Sequence, residues 1–184
     1  MLKPAYNVRK AAQVAHLLLT LRKARMSYLK LIKLMYYIDR AALIKWGRSV
    51  TFDSIVSMDN GMVLSQTLNL ITCGVRPNTH SVWSQFVSTP VEYEVGATNI
   101  ETDYDELSDM EEDLVRKVFG EFGNKSRWNL VDFHHKLPEW IDPEGSSIPL
   151  TYREILQKSG KRSYSDIESI GTEIEGIAIL EQFT

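Results

Sequence analysis

The sequence predicts an α+β fold, predominantly helical, with one central buried helix over about residues 27–46, surrounded by helices and a small antiparallel sheet. Three observations carry that expectation. LKLIKLMYYIDRAALIKWGR, residues 29–48, is apolar over most of a helical circumference, as suits a helix central to a globular fold. A hydroxyl residue followed three positions later by glutamate, the capping-box pattern of helix starts, occurs at Ser108, Thr151 and Ser165. The middle of the chain has short stretches of strand-like content, of which PVEYEVG at residues 90–96 alternates most cleanly.

From about Asn7 to Arg25 the face formed by Val8, Ala11, Ala12, Ala15, Leu18, Leu19 and Arg22 follows the i, i+3, i+4 rhythm of a helix, with Asn7 as its N-cap. The second helix runs from near Ser27 to near Trp46, with Gly47 as the residue that ends it. Leu31, Ile32, Met35, Ile38 and Ala42 form its apolar stripe, widened by Leu29, Tyr36, Leu43 and Ile44. FDSIVSMD at 52–59 and HSVWSQFVS at 80–88 read as strands, as does 90–96, where Val91, Tyr93 and Val95 alternate with Glu92 and Glu94. Between them NGMVLSQTLNLITCG reads as a turn at Asn60-Gly61, a short apolar helix and a stop at Gly74. Gly96 to Leu107 is a polar, acidic loop. The Ser108–Glu111 box opens a helix using Met110, Leu114, Val118 and Phe122. A helix from Ser126 to about His135 has to end before Pro138. The Thr151–Glu154 box opens a short helix, and the Ser165–Glu168 box a last one over about residues 165–181. Its stripe of Ile167, Ile170, Ile174, Ile177 and Leu180 either docks on the body or pairs with a second subunit or a partner.

At 184 residues, 43% apolar and 24% charged, residues 1–184 are expected to form a single domain with its own core. No apolar run approaches the ~20 residues that cross a bilayer, and MLKPAYNVRK lacks the apolar stretch of a secretory signal. Cys73, the one cysteine, sits in LNLITCGV without a CxxC partner and reads as a small core residue. Together these features favour a reducing, cytoplasmic setting and no membrane contact. The net charge of −3 hides a polarity: eleven Lys or Arg against one acid up to Arg48, and ten acids with no base from Glu92 to Asp113. Such asymmetry marks either a nucleic-acid face or two parts of one fold that attract each other, and the second is the simpler reading.

A search for chemistry leaves little. His134 and His135 are adjacent, so on a helix they diverge by about 100° and do not chelate one ion; His16 and His80 lack ligand spacing. No HExxH, cysteine cluster, GxSxG or phosphate loop is present, so no metal, cofactor or catalytic residue is assigned. Lys30, Lys33 and Arg40 form a rough stripe with Tyr37 that is able to meet phosphates, but residues suited to base edges are sparse there. Nucleic acid is therefore not the expected partner. Asp39 and Arg40, following the apolar run directly, either anchor a loop by pairing or contact a partner.

KLIKLMYYIDRAALIKWGRSVTFDSIVSMDNGMVLS resembles the opening of the Panacea domain of phage- and prophage-associated proteins. Lys30, Leu31, Lys33, Leu34, Tyr37, Asp39 and Arg40 fit the family's first element, and Gly47 with Arg48 the second. Gly61 and Val63 fit a third, with Met62 where the family usually has proline. LVDFHHKLPEW is similar to a fourth, with His135 and Trp140 in register and Phe133-His134 where threonine is more usual. The order holds from about Met26 to Gly160. The resemblance implies a mostly helical, non-enzymatic antitoxin that neutralises a cognate toxin by direct binding. In some members it also implies an adaptor role with a protease or chaperone, and self-association is compatible with it. Asp39, Arg40, His135 and Trp140 are the candidate partner-facing residues; Lys30, Lys33, Tyr37, Gly47, Gly61 and Val63 are expected to build the motif. Two other readings are a prophage regulator that binds DNA through the basic N-terminal region, and a hydrolase centred on His135.

Overall fold

The computed structural model describes residues 3–72, 77–98 and 101–183, with the side chains of 77–81 left aside. Its helices are α1 (Val8–Arg22), α2 (Tyr28–Trp46), α3 (Ser65–Thr72), α4 (Pro77–Phe86), α5 (Asp109–Phe122), α6 (Arg127–His135), α7 (Tyr152–Ser159) and α8 (Tyr164–Leu180). The strands are short: β1 (Met26–Ser27), β2 (Ile55–Ser57), β3 (Val63–Leu64), β4 (Glu94–Val95) and β5 (Ile148–Leu150). The architecture is α+β and predominantly helical.

α2 is the pillar that its apolar circumference predicts. Twelve of its positions, from Lys30 to Leu43, are buried, and it packs against α1, α3, α5, α6, α7 and β3. Ser27 caps it by accepting the Lys30 amide, and Gly47 ends it at φ +77, a left-handed conformation that favours glycine. A Cβ on Gly47 would also stand 2.9 Å from Ile170 Cγ1 of α8. Asn7 caps α1 as expected, and the Ser108–Glu111 and Thr151–Glu154 boxes close on both bonds. α8 instead starts one turn-half earlier, with Ser163 and Asp166 forming the box in place of Ser165 and Glu168. Aspartate at the third helical position meets the same geometric need. Ile167, Ile170 and Ile174 of α8 pack into the core, while Ile177 and Leu180 are exposed.

Two small antiparallel sheets brace the helices. β2 is central in the first, ordered β3-β2-β5, with Ile55 opposite Leu64 and Leu150. Pro149 lies on β5, an edge strand, where its missing N–H costs no ladder bond. In the second sheet β1 pairs with β4, setting Met26 against Val95 just ahead of α2.

Two strand expectations are corrected. Residues 80–88 are largely α4, not a strand: Trp83, Phe86 and Val87 are buried at helical spacing, and α4 packs on α1. Residues 90–96 do not form one continuous strand. Glu92 and Tyr93 adopt positive φ and fold the segment into a tight turn. Val91 and Tyr93 are consequently exposed, and only Val95 reaches the core. Cys73 and Gly74 lie outside the described residues.

Part of the charge polarity is neutralised within the fold. Arg9 pairs with Asp105 at 3.1 Å and Lys10 with Glu111 at 2.9 Å. Gln13 donates to Asp105, and Asn7 to Glu106 at 2.9 Å. Arg9 thus straps the acidic loop across α1, and Lys10 ties the first turn of α5 to it.

Candidate functional site

Lys33, Tyr37, Arg40, Gly61, Val63, His135 and Trp140 gather where α2 meets the β2–β3 turn and the chain leaving α6, while Lys30 and Gly47 lie towards the two ends of α2. Consecutive residues on a helix diverge by about 100°, so Asp39 and Arg40 serve different neighbours. Asp39 is 1% exposed. Its carboxylate accepts the Val50 and Thr51 amides at 3.2 and 3.1 Å and the Thr51 hydroxyl at 2.5 Å. Burial pushes that carboxyl up to about 6, against the Thr51 bonds that favour its charged form. Asp39 is therefore the anchor of the loop after α2, and its side chain does not reach the surface.

Arg40 turns the other way. Its guanidinium grips Glu139 at both carboxylate oxygens, Nη2 to Oε2 at 3.1 Å and Nε to Oε1. Tyr36 donates its hydroxyl to the same Oε1 at 2.7 Å. Glu139 is fully buried, so the pair and the phenol satisfy a carboxylate that would otherwise be costly inside the protein. Nothing in the local sequence marked Glu139, because both of its partners lie about a hundred residues upstream.

Lys33 is also fully buried. Its ammonium donates to the Met62 carbonyl at 2.8 Å, and burial brings it down to about 7. Met62 stands where the family usually has proline; the role used here is a carbonyl and a buried side chain, which both residues offer. Beside it His134 is fully buried with no hydrogen-bond partner on either ring nitrogen. Burial, reinforced by the Lys33 charge, holds that imidazole well below its usual range, so it is neutral. It packs against Tyr36 and Tyr37 at ring distances of 5.1 and 4.9 Å. Gly61 makes room for it: at φ +90, a Cβ there would lie 2.5 Å from His134 Cβ. Val63 continues the turn into β3, opposite Val56.

His135 and Trp140 form the outer edge of this junction, both half-buried. His135 Nε2 meets the Asp59 carbonyl at 2.8 Å, Trp140 Nε1 donates to the Met58 carbonyl at 3.4 Å, and the two rings lie 4.4 Å apart. Tyr37 stacks on Phe122 of α5 at 4.5 Å, with its hydroxyl buried and unpartnered. Lys30 sits at the far end of α2, where its ammonium donates to the Gly123 carbonyl at 2.6 Å.

This arrangement stiffens a surface. Lys33 would be a nucleophile or base by its protonation, yet its nitrogen is sealed from solvent. The His135 ring binds a backbone carbonyl. Lys30, Lys33 and Arg40, the stripe able to meet phosphates, all turn into the protein. Among the described residues no group of three or more His, Cys, Asp or Glu is placed to hold a metal ion, and no helix is long and apolar enough to cross a membrane.

No curated protein and no solved structure matches the chain. The family model described as antitoxin SocA-like, Panacea domain, matches residues 31–141. That span exceeds half the chain and contains the junction residues; Lys30, outside the junction, immediately precedes it. The chain therefore belongs to the SocA-like antitoxin family of Panacea-domain proteins.

Proposed function

We propose that this protein is a non-catalytic antitoxin that neutralises a toxin by direct binding in the cytoplasm. The match of residues 31–141 to an antitoxin family carries the reading. The junction supports it, because Lys33, Asp39, Arg40 and Glu139 commit their polar atoms to the protein itself. Such a network fixes the shape of a docking surface and leaves no open reaction centre. His135 and Trp140 are proposed as direct toxin contacts, with Arg40 at their margin. Asp39 supports the surface from beneath by holding the loop at Val50 and Thr51.

Expression of the reading frame beside this gene tests the proposal. The product is expected to arrest growth alone, to be harmless with this chain, and to co-purify with it. Co-expression that rescues nothing overturns the proposal. Neutralisation by masking and by delivery to a protease differ in whether the toxin disappears, so its level in rescued cells separates them. Trp140→Ala is expected to weaken toxin binding by about tenfold or more, the range of a central aromatic contact, and to lower rescue by more than its loss of stability accounts for. Asp39→Ala is expected to lower stability and rescue together.

A further inference from the structure

Arg9 pairs with Asp105 of the acidic loop and Lys10 with Glu111 of α5, but Arg22, Arg25 and Lys30 further along have no such partner among the described residues. Arg22, Arg25 and Lys30 meet Lys125 and Arg127 around a concavity of about 440 Å³ at the start of α2 and α6. Glu94 is the sole carboxylate residue in its lining. Among the described residues none of the five cations is within ion-pair distance of a carboxylate, whereas Arg9, Lys10, Arg40, Arg116 and Arg153 all are. Arg25 donates instead to the Ser88 hydroxyl and the Glu94 carbonyl. Lys30 is 8% exposed, and its one acceptor is the Gly123 carbonyl. Burial, and then repulsion from Arg22, depresses its ammonium. Positive charge therefore outnumbers negative here, and among the described residues none of these cations is ion-paired. The amino ends of α2 and α6, capped by Ser27 and Ser126, add their dipoles in the same sense.

An aromatic cleft of about 220 Å³ opens beside this concavity and shares Ser27 and Arg127 with it. Tyr28, Tyr93 and Trp128 form its walls, with Tyr28 and Tyr93 rings 6.1 Å apart. Tyr93 is 71% exposed and Trp128 55%. The turn at Glu92 and Tyr93 is pinned there, because the Tyr28 amide donates to the Tyr93 carbonyl at 2.9 Å. The Arg127 guanidinium lies 5.2 Å from the Trp128 ring, which joins the charged and aromatic halves.

We propose that this end of α2 is a docking site for an acidic segment of a partner polypeptide, with carboxylates held by Arg22, Arg25, Lys125 and Arg127 around the concavity and a neighbouring apolar side chain in the Tyr28–Tyr93–Trp128 cleft. Charge complementarity names the occupant's sign, and the cleft its adjacent apolar group. A polypeptide fits better than a nucleic acid for two reasons. The cations gather in one pocket and do not track along a backbone, and Glu94 together with the net charge of −3 opposes a long polyanion. On the antitoxin reading the natural occupant is a segment of the toxin, and that identification alone rests on that reading.

The full chain is titrated with a short fluorescein-labelled peptide of glutamates flanking one tryptophan. Controls are the same peptide with glutamine for glutamate, and a labelled thymidine oligonucleotide. The glutamate peptide is expected to bind at least about tenfold more tightly than the glutamine peptide and to weaken as salt rises. Arg22→Glu with Arg127→Glu, both exposed, is expected to abolish that preference at unchanged melting temperature. Trp128→Ala is expected to weaken both peptides. Equal binding of the two peptides, retention of the preference in the double variant, or tighter binding of the oligonucleotide each overturns the proposal. Peptide binding is read without any toxin, so its failure and a failure of rescue by co-expression are distinct results.

Discussion

Replacing Lys33 by methionine probes the least ordinary group in the core. The ammonium is fully buried, with a carbonyl as its acceptor, and sits at about 7 where an exposed lysine has 10.5. The folded state thus holds fewer protons than the unfolded chain between those two pH values. Stability contributed by this group is present above 10.5 and is lost as pH falls toward 7, with a slope of about 1.4 kcal/mol per pH unit. Over the whole shift that amounts to roughly 5 kcal/mol. Methionine has a similar shape and removes the charge, at the cost of leaving the Met62 carbonyl unpaired, about 1–3 kcal/mol. Urea denaturation of both proteins at intervals from pH 7.5 to 9.5 reads the effect. The gap in unfolding free energy, wild type minus Lys33→Met, is expected to widen in favour of wild type by about 2–3 kcal/mol across that range. Lys30 is depressed as well, but it is present in both proteins and drops out of the difference. Curves that stay parallel would refute the reasoning, for they would mean that Lys33 keeps an ordinary proton affinity inside the fold.

Gly61→Ala places a Cβ 2.5 Å from that of His134 at a positive φ, and is expected to cost about 2–4 kcal/mol by thermal or urea denaturation. Asp39, held up near 6, keeps more protons folded than unfolded from about pH 4 to 6, so its contribution falls as pH rises through that window; Asp39→Asn is expected to remove a decline of up to about 3 kcal/mol there. Glu139→Ala strands the partly buried Arg40 guanidinium and the Tyr36 hydroxyl, and is expected to destabilise by about 3–5 kcal/mol in the same assay.

Much of what depends on neighbours within one or two helical turns was legible in the sequence, although α8 is capped by Ser163 and not by Ser165. The span of α2 between Ser27 and Gly47 follows from its apolar circumference and its two ends, and Ser108 and Thr151 start their helices because their partners stand three residues away. The family signature was legible for the same reason, as short elements in order. The errors also have local causes. Val82, Trp83 and Phe86 combine β-branched and aromatic character with helical spacing, and packing against α1 decided for the helix. The alternation of Val91, Tyr93 and Val95 gave no sign that Glu92 and Tyr93 would turn at positive φ.

The direction in which each polar group of α2 points was a tertiary decision. Lys30, Lys33 and Arg40 read as one cationic stripe, yet their acceptors at Gly123, Met62 and Glu139 lie 93, 29 and 99 residues away. Sequence periodicity specifies which residues share a face of a helix; it does not specify what will be brought against that face. Burial makes the difference matter, since a cation inside a protein must find an acceptor at short range. The same folding that drew those three inward, and paired Arg9 with Asp105 and Lys10 with Glu111, left Arg22, Arg25, Lys125 and Arg127 gathered around one concavity with Glu94 as the carboxylate residue in its described lining.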